Sequence, residues 1–253
     1  MSKTPLISII TVVRNDLAGL KETHAGLCRQ EFRDFDWVVV DGASTDGCVA
    51  FLETATDLPL IWKSERDHGI YDAMNKGTKM AIGNYVVYLN AGDVLPDPTT
   101  LKIIAQALEK EKFPDVLLGT ANYVFPSGAK LRRAPRLMPQ GAWHSIPAVH
   151  QAIYFKRNTL PEPVYDLSYR VSADFSLLAL LSKNNLSAVY LHEPIVDFEM
   201  GGSCSQHSWE QMKDMWRAQK EILGLNLIYR LGSLARRFAS VYGGKIICKF
   251  QPR

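Results

Sequence analysis

The residues able to do chemistry sit in short polar runs that close stretches rich in isoleucine, valine and aromatics. Arg14-Asn15-Asp16 follows residues 6–13, Asp41-Gly42 closes 36–41, Ser64-Glu65-Arg66-Asp67 follows 60–63, and Asn90-Ala91-Gly92-Asp93 closes 85–90. Carboxylates and amides gathered in this way suit a metal ion and sugar hydroxyls better than they suit a bare anion. A strand-end carboxylate such as Asp41 has two roles open to it: accepting the N–H groups of a nucleobase edge, or opening an Asx turn into Gly42. Asp72 and Lys76 are spaced as an i,i+4 pair with Asn75 one turn from Asp72, which makes either a ligand-facing set or a solvated helix face. Asp174 falls in the first turn of a helical pattern, where the helix dipole favours a carboxylate whether or not it has a chemical role. His150-Gln151 lie with His144 in a proline-bounded loop, a composition that fits a sugar site as well as a structural one.

These runs must be held by the segments that precede them. Residues 6–13 read as a buried strand and 17–30 as a helix begun near Asp16; a second strand covers 36–41, and a turn-rich stretch over 42–47 leads into a helix ending near 56. A strand at 60–63, a helix over 70–81 and a strand over 85–90 complete the first half. Strands alternating with helices imply parallel βαβ units, so the fold class is α/β: a Rossmann-like, mostly parallel sheet with helices on both faces. In such sheets ligands sit at the carboxyl ends of the strands, where all four polar runs fall. The second half is broken by prolines at 126, 135, 139, 147, 161 and 163 and is expected to carry long functional loops. Within it a β-like stretch at 152–155, a helix over 174–183, a strand over 187–191 and a helix over 209–223 are predicted.

Three ordered motifs carry more: VVVDGASTDG at 38–47, SERDHGIYDAMNKG at 64–77 and YLNAGDVLPD at 88–97. Through them the chain resembles the family 2 glycosyltransferases, most of all the branch of colanic acid and related exopolysaccharide glycosyltransferases, over about residues 7–202. The resemblance implies a GT-A fold over 1–224, with a nucleotide-binding half (1–97) and an acceptor-side half (98–224), followed by a tail over 225–253. It implies an inverting, metal-dependent enzyme of the hexosyltransferase type, moving a sugar from a nucleotide-diphosphate sugar to a glycan acceptor, with a lipid-linked oligosaccharide expected. On the family pattern Asp41 recognises the base, with Thr11, Val13 and Asn15 beside it and Asp72, Asn75 and Lys76 on the nucleotide side. Asp46 matches the last position of an Asp-Asp-Gly-Ser-Thr-Asp pattern, and a helix cap is its expected role.

The metal motif of the family usually reads Asp-x-Asp; here Asp93 alone remains a carboxylate, with Asn90 offering a neutral oxygen. Mg²⁺ or Mn²⁺ tolerates one carboxylate when phosphates and waters complete the octahedron, so a divalent cation at Asp93 is still expected. Asp174, in YRVSADFSLL, matches the family's catalytic base, which removes the acceptor proton. His150 and Gln151 fall on the acceptor or sugar side, and Met200-Gly201-Gly202-Ser203 also resembles the branch, with backbone amides suited to a diphosphate.

Composition narrows the alternatives. With 47% hydrophobic and 22% charged residues over 253 positions, the chain has the make-up of a folded globular protein. No apolar run approaches the roughly 20 residues of a membrane span, and the first residues do not read as a secretory signal, so a cytoplasmic location is expected. The four cysteines show neither a CxxC pair nor a His–Cys cluster, which argues against zinc or a disulfide framework. The net charge of +3 conceals an asymmetry: residues 225–253 hold six Lys/Arg and no acid, leaving 23 basic against 26 acidic residues before them. A mildly acidic body is a poor platform for nucleic acid, so none is expected as a partner. In the tail, Leu227, Leu231, Leu234, Phe238 and Val241 share one helical stripe, and Arg230, Ser233, Arg237 and Ser240 another. Such an amphipathic helical tail can lie on an anionic membrane, which predicts a peripheral protein on the inner face of the cytoplasmic membrane; the other reading is a helix packed on the domain with its arginines in water. A nucleotidyltransferase lacks its glycine-rich basic loop after the first strand, and a dehydrogenase its GxGxxG. An inactive sugar-binding or scaffold subunit is the remaining alternative.

Overall fold

The computed structural model describes residues 4–125, 127–137, 145–199 and 208–237. The first half follows the expected alternation: β1 (Ile7–Val13), α1 (Leu17–Cys28), β2 (Phe35–Asp41), α2 (Cys48–Thr54), β3 (Leu60–Ser64), α3 (Ile70–Met80), β4 (Tyr85–Tyr88) and α4 (Thr100–Lys110). Then come β5 (Val116–Val124), β6 (Lys130–Arg133), a 3₁₀ turn at His150–Ala152, β7 (Ile153–Lys156), α5 (Ala173–Leu181), β8 (Ala188–Glu199) and α6 (Ser208–Glu221). The strands form a single sheet in the order β3-β2-β1-β4-β7-β5-β6, with β8 on the other edge of β5. β1 to β4 pair in parallel, whereas β7 is antiparallel to both β4 and β5.

Strand alternation explains the two cores. Ile7, Ile9, Trp37 and Val39 point to the layer of α1, α2 and α4, with Leu20, Leu52 and Ile104. Ile10, Val38, Val40 and Tyr88 point to the layer of α3, α5 and α6, with Met74, Phe175 and Met215. A sheet buried on both faces needs unbroken apolar strands, and β1 and β2 are buried along their whole length.

The sequence reading differs from the structure in the second half. The sequence reading predicted no strand at 116–124, yet β5 is the strand on which β6, β7 and β8 all pair. β8 continues eight residues beyond the expected stop at 191, running past Pro194 where its register with β5 shifts; an edge strand tolerates a proline at such an irregularity. Residues 227–237 form a further helix against α6. The arginine stripe of this helix does not face water, contrary to the packed-helix reading: Arg230 is buried, its guanidinium 3.9 Å from the Trp216 ring centroid, and Gln219 Nε2 donates to Ser233 Oγ at 2.8 Å. Among the described residues no helix is long and apolar enough to cross a membrane. Phe238, Ser240, Val241 and the run Met200–Ser203 lie outside the described residues.

Candidate active site

The end of β2 delivers Asp41 to the carboxyl edge of the sheet, fully buried. Its Oδ2 accepts from the Ser44 backbone N–H at 3.0 Å and from Ser64 Oγ, at the end of β3, at 2.6 Å. Of the two roles open to it the Asx turn is present, closed by Oδ2, while Oδ1 is buried without a partner. An orphaned carboxylate oxygen is costly to bury, and a ligand N–H directed at it removes that cost. Gly42 is closely packed beside it: a Cβ there would lie 2.5 Å from Asp67 Oδ2 and 3.3 Å from the Arg14 side chain, so both side chains would have to shift. Asn15, in the left-handed region at φ 52°, locks the neighbouring turn by accepting from Thr45 N at 2.8 Å and donating its own N–H to Ser44 Oγ. Asp46 is a cap as expected, accepting from Leu17 N at the start of α1 and Cys48 N at the start of α2.

Beyond β4 the chain makes a tight turn. Asp93 N donates to Asn90 O at 3.0 Å, and Gly92 takes φ 88°, a backbone conformation that glycine adopts without strain. The turn aims Asp93 inward, where its Oδ2 accepts from Asn90 N (3.1 Å) and Gln151 Nε2 (3.0 Å). Asn90 Oδ1 is buried without a hydrogen-bond partner. A carboxylate beside an unsatisfied amide oxygen is a hard-oxygen donor set, and it fits Mg²⁺ or Mn²⁺. Gln151, expected to face acceptor or sugar, lines the cleft, and its amide also holds the carboxylate of Asp93. His150 stacks on Tyr88 at 4.7 Å and shares a hydrogen bond with the Tyr165 hydroxyl. Burial pushes its imidazole down to about 4, so it is neutral across the physiological range.

Asp174 lies in the first turn of α5, half-buried, with Oδ1 accepting from Phe175 N at 2.8 Å and from the Tyr71 hydroxyl at 3.2 Å. Burial raises its pKa above the ordinary carboxylate value, against the hydrogen bonds from Phe175 N and Tyr71 and the charge of Arg237. A carboxylate made more basic by desolvation is suited to accept a proton. Asn90, Gln151, His150, Tyr71 and Asp174, drawn from β4's turn, the 3₁₀ turn, α3 and α5, line one cleft of about 600 Å³, with Tyr123 and Phe198 forming an aromatic wall.

The side chains of the other expected site residues make contacts within the fold. Thr11 is buried, its hydroxyl donating to Leu89 O and accepting from Trp37 Nε1, and Val13 is core. Asn75 clamps Tyr165 by both backbone groups at 2.8 Å each. Lys76 is held by Asp72 (3.1 Å), Glu65 (3.3 Å) and the Arg66 carbonyl (2.8 Å), so this set braces the segment before α3. Tyr71 and Ser44 escaped the sequence reading, since a tyrosine in a helix and a serine in a turn carry no signal of their own. One exclusion is corrected: His24 Nε2 lies 3.5 Å from Cys28 Sγ and 3.7 Å from Asp57 Oδ2. The first two are i,i+4 on α1, a spacing that a search for CxxC pairs passes over, and the three ligand atoms lie within 4.8 Å of one another. This group sits at the start of β3, at the opposite end from Ser64, and is separate from Asp93.

Comparison with known proteins agrees with this geometry. The profile described as Glycosyl transferase family 2 matches residues 8–172. The chain is 31% identical over 209 residues to a PGL/p-HBAD biosynthesis glycosyltransferase of Mycobacterium bovis, covering 78% of each. It is 28% identical over 217 residues to the O-antigen biosynthesis protein RfbC of Myxococcus xanthus, covering 81% of this chain and 16% of that protein. In fold it is similar to residues 1–349 of S. aureus TarS in complex with UDP-GlcNAc, with TM-score 0.69, 17% identity and coverage of 92% and 73%. It is similar also to the mannosyltransferase PcManGT from Pyrobaculum calidifontis in complex with GDP-Man and Mn²⁺, with TM-score 0.64, 19% identity and coverage of 99% and 82%. With its parallel half-sheet ending in Asp41 and Asp93 and its cleft closed by Asp174, the chain belongs to glycosyl transferase family 2 and is a glycosyltransferase of GT-A fold.

Proposed function

We propose that the enzyme transfers a hexosyl residue with inversion, from a nucleoside-diphosphate sugar to a hydroxyl of a glycan acceptor, in the synthesis of a surface polysaccharide. The observation that carries this reading is the convergence of Asn90, Gln151 and Asp174 on one cleft, with Asp93 hydrogen-bonded directly behind the first two. Asp41 Oδ1 accepts the base N–H. Asp174 takes the proton of the acceptor hydroxyl as its oxygen attacks the anomeric carbon, and the bond from that carbon to the diphosphate breaks with its electron pair leaving on the nucleoside diphosphate. Tyr71 orients the carboxylate, and the Tyr123–Phe198 wall offers apolar faces to the acceptor sugar. Asp93 and Asn90 would hold a divalent cation, which when bound neutralises the charge that develops on the diphosphate. Gln151 keeps Asp93 in position for it.

Support for a glycan acceptor comes from the relatives, whose names refer to PGL/p-HBAD and O-antigen biosynthesis. We take the acceptor to be a lipid-linked oligosaccharide, as in the exopolysaccharide branch that the motifs resemble. We place the enzyme as a peripheral protein on the inner face of the cytoplasmic membrane, held through residues 225–253. Calorimetric titration of UDP, GDP, CDP and dTDP, with and without Mn²⁺ or Mg²⁺, into wild type and Asp93→Ala tests the donor side. Metal-dependent binding of one nucleotide, lost in the variant, is the expected result. Binding of none, with no nucleoside diphosphate released from any donor, would instead identify an inactive subunit.

A further inference from the structure

The helix over 227–237 is seated with its polar stripe inward. Arg230, Ser233 and Arg237 face α6, where Arg230 stacks on Trp216, Ser233 accepts from Gln219, and Arg237 donates to Gln211. At 3.6 residues per turn the opposite stripe is Ile228, Leu231, Gly232 and Ala235, which holds no charge. It faces solvent, with Ile228 80% exposed, Leu227 and Tyr229 58% each and Leu231 49%. A helix that folded for water alone would be turned the other way round. Beside it, at the start of α6, Trp209 is 60% exposed, and Trp209, Met212, Trp216 and Leu234 line a shallow apolar cavity of about 380 Å³. One apolar face therefore runs across two helices.

We propose that this face seats the enzyme in the headgroup layer of an anionic bilayer. The claim gives a surface and an orientation to the membrane attachment put forward above, and its link to a lipid-linked acceptor rests on that reading. Charge identifies the occupant. Exposed Lys213, Lys220 and Arg236 flank the face, and Lys213 Nζ stands 5.7 Å from the Trp209 ring centroid. Apart from the inward Arg230 and Arg237, residues 225–253 hold four Lys/Arg and no acid. Two copies meeting through this face would set these cations against one another, whereas anionic headgroups neutralise them. Tryptophan and tyrosine at the edges, with isoleucine and leucine between, are the side chains that settle at a membrane–water boundary. The placement also serves the chemistry, because Glu210 and Gln211 line the catalytic cleft next to Trp209 and Met212, which line the apolar face. An acceptor anchored in the bilayer would enter the cleft without leaving the surface.

Flotation of the full chain with phosphatidylcholine vesicles, alone or containing phosphatidylglycerol, tests the proposal. Wild type is expected to float with the anionic vesicles, far less with the neutral ones, and to be released by salt. Ile228→Glu combined with Leu231→Glu should lower partitioning by roughly tenfold or more, since two inserted side chains are lost and two repelled charges gained. Both positions face solvent, so nucleotide binding by calorimetry and elution on gel filtration should not change. Failure of wild type to float, flotation independent of phosphatidylglycerol, or flotation of the double variant at the wild-type level would overturn the proposal. So would a wild-type dimer that the double variant splits, which would make the face an interface between copies. Nucleotide titration reads the transferase assignment separately, so the two ideas can fail independently.

Discussion

Replacing Asp41 by Asn isolates one oxygen. Asp41 Oδ2 is committed to Ser44 N (3.0 Å) and Ser64 Oγ (2.6 Å), and Oδ1 is buried without a partner. In the variant the amide oxygen keeps the two internal bonds, and the NH₂ takes the place of Oδ1 and faces a base N–H donor to donor. The interaction lost is a hydrogen bond to a charged acceptor, about 1.5–3 kcal/mol. At about 1.4 kcal/mol per decade, the nucleotide Kd should rise roughly 10- to 150-fold. Calorimetric titration of the preferred nucleoside diphosphate measures this, and thermal unfolding checks that the turn survives, with a Tm close to wild type. Asp41→Ala should lose binding and stability together, because Ser44 N and Ser64 Oγ are then orphaned. If Asp41→Asn bound nucleotide as tightly as wild type, the carboxylate would be a turn residue only and the base site would have to lie elsewhere.

Asp174→Asn should reduce kcat by about 10²- to 10⁴-fold, the usual contribution of a general base. The same variant should be more stable than wild type near pH 7 and equal to it near pH 3: burial raises the Asp174 pKa in the folded state, so its ionised form opposes folding only above the unfolded carboxyl range. Tyr71→Phe removes a hydrogen bond that lowers that pKa, so the acid limb of the pH–rate profile should move to higher pH, with no added limb from His150, which titrates at about 4. Gln151→Leu frees Asp93 from its amide partner and should weaken Mn²⁺-dependent nucleotide binding by about 10- to 100-fold, with little effect on any metal-independent component. Asn75→Ala should cost about 2–4 kcal/mol in urea unfolding, since it orphans both backbone groups of Tyr165, and should leave nucleotide Kd unchanged.

The sequence by itself determined the half of the molecule whose order is local. Parallel strands buried on both faces demand unbroken apolar runs, so β1 to β4 and the polar residues at their ends could be read directly, down to the Asp16 and Asp46 caps. Asp41, Asp93 and Asp174 were legible as single residues, because carboxylates in these settings leave a pattern in one dimension. What each side chain touches was not legible. Thr11 spends its hydroxyl on Leu89 and Trp37, 78 and 26 residues away, Asn75 its amide on Tyr165, 90 residues away, and Gln151 its amide on Asp93, 58 residues away. Hydrogen-bond capacity is finite, and which partner takes it is settled by packing between segments that periodicity does not relate. The same holds for β5, whose polar interior makes sense only with three strands paired to it, and for the helix over 227–237. Its polar stripe was visible in the sequence, but the orientation of the helix was decided by Trp216 and Gln219 on α6, which hold Arg230 and Ser233 and leave Ile228 and Leu231 facing outward.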